Sequence, residues 1–535
     1  MIKRLLLLLG LLLATGVVLA QDQPPQPFDI ASKIRNAIDL NEYLDTLVLD
    51  VEPEDIFQNW DNSEFRTIDG AAISPDASMM AWHSEIRERV SSQTTRVLCV
   101  HTFETTDVSC HLPPPTLETF SVLKWSPDSR YITFTENRLR EADDTDIWLY
   151  DVATRALVNL TDDGVPAPDA VSTEARPLVD FAPTWNPFNG MLYFFRDAEP
   201  GAIAPLYQVY SFTPQQIEAV VADYNSQIDA LLAARGQTNT AEATQAAVDA
   251  QATQVADQAT LQAAQATQAA AAVPTFTPPA PDDGSGLSRT PQDIAQTALT
   301  TEIVSQVQLT PPEPALMTTI SNWGPGMVIA DTTRETLFAP THIDSGGLFM
   351  AIVVRNTNDP AQSGVWLLDL NTFDLINLAS VTNFTGIVPP WAAQTTINNV
   401  QWAPDSTGVA ISITIQGATA VYNNVLFYNL ATGVLSPVVD LGELPDEADF
   451  FSGLASTLYP DSAVLLPDNS LFYFNRSARS LLHVAPIPPA PRGSVPTSLD
   501  LGRNLNQQGR LPSSVGFNDQ VIRVIFDTNL IVLSR

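Results

Sequence analysis

Cys99 and Cys110 are the first residues whose spacing implies a bond. They flank Phe103-Glu104-Thr105-Thr106, and a two-residue loop at Glu104-Thr105 sets them directly opposite each other on a hairpin. An oxidising compartment favours a disulfide between them, provided the cross-strand geometry suits the bond. The competing reading is a metal site with His101 and His111. Strand alternation turns His111 to the other face from Cys110. That leaves at most three ligands in a spacing that matches no standard zinc pattern. Glu141, Asp143, Asp144 and Asp146 also carry ligand chemistry. Carboxylate oxygens suit calcium, but the glycine turn of a dedicated calcium loop is absent, and a solvated acidic loop is the competing reading. The remaining histidines, His83, His342 and His483, are scattered. A general base needs a positioned partner, and none can be named for them. No Gly-x-Ser-x-Gly elbow, His-Glu-x-x-His helix, phosphate-cradling glycine loop or EF-hand loop occurs. No catalytic residue, metal or cofactor is therefore assigned.

The elements that must position these residues come from a repeat. Ile73-Ser74-Pro75-Asp76 opens its first copy and Trp125-Ser126-Pro127-Asp128 its second. Trp185-Asn186-Pro187 is a degenerate third, Trp402-Ala403-Pro404-Asp405 is clear again, and Leu465-Leu466-Pro467-Asp468 is the last. A weak copy, Ile343-Asp344-Ser345, lacks the proline. In each copy a strand ends on a hydrophobic residue, proline presets φ, and Asp or Asn accepts from the backbone two residues on. An alternating or apolar strand follows. Ile147-Trp148-Leu149-Tyr150-Asp151, Val365-Trp366-Leu367-Leu368-Asp369 and Val425-Leu426-Phe427-Tyr428-Asn429 supply a second, equally spaced element. Each repeat thus holds about four strands, the content of one propeller blade. The recurring tryptophans Trp125, Trp148, Trp185, Trp366 and Trp402 read as packing between blades.

These motifs resemble the WD-like repeats of the TolB-type β-propeller family, which also occur in the propellers of prolyl-oligopeptidase-type enzymes. The resemblance covers most of residues 69–212 and 330–485. It implies an all-β propeller of about six blades, each a four-stranded antiparallel sheet, with seven as the alternative. No segment for partner binding carries over, and neither the pentapeptide nor the length of a hydrolase domain is present.

The marker spacing places an insertion after the third blade. Thr213-Pro214-Gln215-Gln216 opens a helix with a capping box and proline at its first position. Ile217, Val220, Val221, Tyr224, Ile228, Leu231 and Leu232 make one apolar stripe, and Gly236 ends it. Residues 251–271 then repeat every seven residues around an alanine seam too small to bury much area. The expectation is a helical hairpin or stalk projecting from the propeller, with a disordered low-complexity linker as the equal alternative. The divisions are 1–20 leader, 21–68 N-terminal segment that closes the ring or helps to form a seventh blade, 69–212 blades one to three, 213–305 insertion, and 306–535 blades four to six with closing strands.

Lys3 and Arg4, a leucine run to Leu13 and Val18-Leu19-Ala20 form a secretory leader. The run is short for a membrane span, and an uncleaved anchor is the alternative. The formal net charge is −34, from 26 Lys and Arg against 60 Asp and Glu. Nucleic acid or a polyanionic membrane surface requires a concentrated basic patch, which the chain lacks. The sequence reads as an extracytoplasmic protein, secreted, periplasmic or at the cell surface. Its function reads as a non-catalytic scaffold for a protein, peptide or glycan of the cell envelope. A glycan hydrolase or lyase with its site on the propeller, and an assembly protein oligomerising through the insertion, stay open as alternatives.

Overall fold

The computed structural model describes residues 34–39, 63–88, 94–105, 108–111, 119–120, 123–137, 145–162, 178–198, 206–234, 307–320, 326–330, 341–384, 386–419, 421–438, 447, 462–467, 470–475, 480–484, 497–499, 514–526 and 529–534. The leader, the seven-residue repeat and Glu141, Asp143 and Asp144 lie outside the described residues.

Strand β1 (Ile34–Asp39) belongs to the last sheet. The first sheet holds β2 (Ser63–Ile73), β3 (Met79–Glu88), β4 (Thr94–Thr102) and β5 (Val108–His111). The second holds β6 (Thr119–Phe120), β7 (Lys124–Trp125), β8 (Tyr131–Asn137), β9 (Ile147–Asp151) and β10 (Leu157–Asn159). The third holds β11 (Val179–Trp185), β12 (Leu192–Asp197), β13 (Tyr207–Phe212) and β14 (Ala315–Ile320). The fourth holds β15 (Met327–Ile329), β16 (Thr341–Ile343), β17 (Phe349–Asn356), β18 (Gly364–Asp369) and β19 (Leu375–Ser380). The fifth holds β20 (Gln394–Trp402), β21 (Gly408–Gln416), β22 (Val421–Asn429) and β23 (Val434–Pro437). The sixth holds β24 (Ser462–Leu465), β25 (Leu471–Asn475), β26 (Ser480–Val484) and β27 (Thr497–Leu499). The seventh joins β28 (Ser514–Phe517), β29 (Val521–Phe526) and β30 (Asn529–Ser534) to β1.

The fold is a β-propeller. The six marked repeats form six sheets from consecutive strands, and the two ends of the chain share one more. β1 pairs antiparallel with β30, Ile38 opposite Leu530, and β28 and β29 pack against β2. The first sheet and the last are thus in contact, which removes an open edge from the array.

Both faces of a blade are covered by neighbours, so strands read as apolar runs rather than alternating ones. All five residues of β9 are buried. One apolar cluster joins Phe134 and Trp148 of the second blade to Ala81 and Val100 of the first. Another joins Phe181 and Phe195 of the third to Ile352 and Leu368 of the fourth. Trp125, Trp148, Trp185 and Trp402 are all buried and Trp366 is half-buried against such a cluster, as packing between blades requires.

Helix α1 (Pro214–Ala234) follows β13. Its capping box is reciprocal: Thr213 N donates to Gln216 Oε1 at 2.9 Å and Gln216 N to Thr213 Oγ1 at 3.3 Å. Two expectations are corrected. The insertion begins inside the third blade, because that blade's fourth strand, β14, is reached only after it. And α1 does not project. Ile217, Val220, Val221 and Tyr224 are buried against Leu149 and Val158 of the second blade and Phe194 and Phe212 of the third. The chain returns along the helix, where Gln227 exchanges two hydrogen bonds with the backbone of Gln308. The buried stripe stabilises the helix where its propensity alone would not.

Gly516 marks the tightest contact of the closure. A Cβ there would meet the Ser74 carbonyl and the Ile73 side chain of the first blade. Both are held by the sheet, so neither can yield cheaply. Gly516→Ala is expected to cost about 1–3 kcal/mol, the range of overpacked sites, read as a lower urea midpoint.

Candidate functional site

The first strand of each blade runs at its inner edge, and the marker turn follows it. In these turns the aspartate does what its residue type implies. Asp76 Oδ1, Asp128 Oδ1 and Asp405 Oδ1 accept from the N–H two residues on, at 3.0, 3.2 and 3.0 Å. Burial works to raise the Asp76 carboxyl, but hydrogen bonds led by that from Ser74 outweigh it and hold it below the usual carboxylate range. Asp344 plays another part. It takes the place of Ser74, since its Oδ1 accepts from Phe349 N as Ser74 Oγ accepts from Met79 N. Asn186, before Pro187, stands at the same position but its Oδ1 accepts from Phe188 N, two residues on. Asn518 caps an unmarked seventh turn by accepting from Gln520 N and Val521 N. Pro467 stands in its turn, and Asp468 lies outside the described residues.

The turns of neighbouring blades touch. Asp76 N donates to Ser129 Oγ, Asn186 Nδ2 to Gly347 O, Ser406 Oγ to Asp344 Oδ2, and Phe517 N to Pro75 O. The turns therefore share one face. Phe188 is 77% exposed on it, Leu348 48% and Phe517 39%. Phe188 Cβ lies against Gly347, the neighbour of Leu348. Phe188 and Leu348 thus stand exposed on adjoining turns of the third and fourth blades.

Just inside this face lies a ring of equivalent positions, one residue before each marker hydrophobe. Antiparallel alternation leaves the marker hydrophobe's N–H on the inner edge, away from its own hairpin. A side chain of the preceding blade can satisfy it. His342 Nδ1 accepts from Trp402 N at 3.0 Å, and Gln401 Oε1 from Leu465 N at 3.0 Å. At the closing junction Gly516 has no side chain, and Ser514 Oγ accepts from Ile73 N at 3.0 Å instead. Lys124 holds the corresponding position between the second and third blades. An ammonium only donates, so it cannot satisfy Trp185 N–H. The indole contacts also change there. Trp125 Nε1 and Trp402 Nε1 donate straight to Ala72 O and His342 O of the preceding blades. Trp185 Nε1 instead donates to Thr133 Oγ1, which donates to Lys124 O.

Lys124 acts on His342. Burial pushes the Lys124 amine down to about 8. Burial first, and the Lys124 charge second, push the His342 imidazole down to about 3. At neutral pH the ring thus carries one cation and one neutral imidazole. The imidazole's Nδ1 is an acceptor, so Nε2 holds its proton.

No family model and no curated protein matches the sequence. Solved structures of similar fold include a hydrazine synthase of Kuenenia stuttgartiensis, 9% identical over 88% of this chain and 96% of that one, TM-score 0.43. An oligogalacturonate lyase from Vibrio parahaemolyticus is 8% identical over 88% and 90%, TM-score 0.41. TolB from Acinetobacter baumannii is 8% identical over 83% and 79%, TM-score 0.31. Scores this low assign no function, and the propeller stands on its own sheets.

The sequence did not single out Lys124, and it set His342 aside with the scattered histidines. Their shared register, one residue before a marker, is the signal that finds both. Cys99 is buried and disulfide-bonded, and the β4–β5 register places it opposite Cys110. His101 is buried on the same strand, edge-on to Phe103. Among the described residues no three His, Cys, Asp or Glu side chains are grouped to hold a metal, and no helix is long and apolar enough to cross a membrane. Replacing both cysteines by alanine is expected to cost about 3 kcal/mol, the loop-entropy value for a closed loop of this length. Thermal unfolding with and without reductant checks it: reductant should shift the native protein and leave the double variant unchanged.

Proposed function

We propose that the protein is an exported scaffold that binds a partner protein or peptide of the cell envelope through the marker-turn face. Exposed Phe188 and Leu348 on adjoining turns of this face carry this reading. Large apolar side chains clustered on a surface mark interaction sites more often than do single ones, and rigid aromatic side chains are preferred anchors. Apolar area supplies affinity without chemistry, which favours binding over turnover. Export rests on the leader pattern at residues 1–20, and the disulfide-bonded Cys99 is consistent with an oxidising compartment. A photo-crosslinking residue at position 188 in producing cells is expected to give a discrete adduct. The same residue at Val434, also exposed but on the outer strand β23, is expected to give none. Identical patterns at both positions, or no adduct at 188, would reject the marker-turn face.

A further inference from the structure

We propose that the inner edge between the second and third blades is a binding site for a carboxylate, with the Lys124 ammonium and the Trp185 N–H as its donors. The first observation is a vacancy in a pattern. Two other junctions fill the inner-edge N–H with His342 or Gln401, and the closing junction uses Ser514. At this junction the equivalent side chain is itself a donor. Asn186 N bonds Met191 O, so Trp185 N–H faces away from β12 by alternation and toward the edge that Lys124 occupies. Three junctions pair a donor with an acceptor, and Ala72 and Val464 bring no polar group to theirs; this junction alone among the described ring positions places a cation beside the strand that carries the free N–H. An oxyanion with two acceptor oxygens completes both.

The second observation is the company Lys124 keeps. The ammonium has no hydrogen-bond or ion-pair partner among the described residues, although protein surrounds it and only part of its surface is accessible. The whole chain carries just three lysines, Lys3, Lys33 and Lys124. In a chain with 60 carboxylate residues, none stands at a ring position. Ala72, Thr184, Gln401, Val464 and Gly516 complete the ring with Lys124 and His342, so nothing in it repels an anion. Among the described residues, His342 is the titratable group on which the Lys124 charge acts. Its Nδ1 is engaged by Trp402 N, which leaves a neutral Nε2–H as a further donor nearby. A charge-assisted hydrogen bond at a half-buried site is stronger than one in water. The ligand offers a free carboxylate, whether at a peptide C-terminus or on a uronic acid. The site stands on the channel edge alone and does not depend on Phe188 and Leu348 of the turn face.

The scarcity of lysine makes the test direct. A full-length protein carrying Lys3→Arg and Lys33→Arg, reductively methylated with ¹³C-formaldehyde, reports on Lys124 as its one lysine, with the resonance assigned by its loss in Lys124→Arg, because methylation keeps the charge. Acetyl-Ala-Ala with a free carboxylate, the same dipeptide as its amide, and glucuronate are titrated at constant ionic strength. A saturable shift of the Lys124 resonance with a carboxylate, and none with the amide, is expected. Whichever of the dipeptide and glucuronate saturates first identifies the source. The saturating probe should also raise the melting temperature of the unmethylated wild type. In Lys124→Met that effect should need about tenfold more probe or vanish, while Lys124→Arg should retain it. A shift shared by the amide, no shift with either carboxylate, or equal thermal stabilisation of Lys124→Met would overturn the site. Failure of the crosslinking at Phe188 would leave it standing.

Discussion

Asp180→Asn should destabilise the propeller by about 3–5 kcal/mol, the cost of leaving a buried charge without its partner. Asp180 and Arg196 stand opposite each other on β11 and β12. The guanidinium donates twice, Nε to Oδ1 and Nη2 to Oδ2, both at 2.6 Å. The carboxylate side chain is 1% exposed and the guanidinium side chain 14%. Burial works against the Arg196 charge, and the hydrogen bonds to Asp180 more than offset it, so its pKa is raised. The guanidinium also lies over the Tyr210 ring, 4.8 Å from its centre. Asparagine would keep the shape and remove the countercharge. The damage would extend past one hairpin, since Asp180 N and O hold Thr145 of the second blade. Arg130 and Asp151 give the contrast. Their contact is longer, 3.1 Å, and the arginine side chain is 38% exposed although Asp151 is fully buried; Ala153 N and Thr154 Oγ1 also donate to that carboxylate, so Arg130→Met leaves it partnered and should cost less than Asp180→Asn. A paired replacement, Asp180→Leu with Arg196→Met, should be near neutral, because apolar isosteres avoid the desolvation of both charges. Urea midpoints of the four proteins decide the matter. Equal costs for Asp180→Asn and Arg130→Met would show that burial does not set the value of these pairs.

The repeat was legible because its chemistry is local. A proline, an aspartate and two flanking strands lie within ten residues, and Asp76, Asp128 and Asp405 bond as their type dictates. The capping box of α1 was legible for the same reason, since Thr213 and Gln216 are three residues apart. What is non-local was read less fully. The seventh blade stood only as an alternative, because it draws β1 and β30 from opposite ends of the chain and its turn is capped by Asn518 without a proline. The insertion was placed one strand late because β14 has no marker and its register with β13 is fixed only by pairing. The stalk was wrong for α1 because its apolar stripe finds a groove between two blades, which no helical periodicity can show. The channel ring was hidden most completely. Lys124 and His342 are far apart in sequence and belong to blades that are not neighbours. Only closure of the ring gives one a charge effect on the other.

That juxtaposition sets the acid limb of the stability curve. His342 accepts a hydrogen bond from Trp402 N, and protonation would destroy the acceptor. Burial and Lys124 hold the folded imidazole at about 3, against 6.5 unfolded. Between those two values the unfolded chain binds a proton that the folded chain refuses. Stability therefore rises with pH across this window, and it is lost as pH falls through it. At about 1.4 kcal/mol per pH unit the full gap is worth about 4–5 kcal/mol, as large an effect as the loss of Asp180. Carboxylates such as Asp76 add their own loss, but only near and below 3.8, so the range from 6 to 4.5 isolates the imidazole. His342→Gln should flatten that range, because Gln keeps the acceptor, as Gln401 shows, and has no proton to gain. Lys124→Met should flatten it in part, by removing the charge that opposes protonation. Lys124 itself acts at the other end. Its amine is held near 8 against 10.5 unfolded, so stability rises again as pH climbs from about 8 to 10.5, and Lys124→Met should abolish that second rise. Urea midpoints of the three proteins at matched pH test both limbs. Parallel acid limbs for wild type and His342→Gln would remove the imidazole from the account, whereas a residual slope in Lys124→Met that disappears in the double variant is what a coupled pair requires.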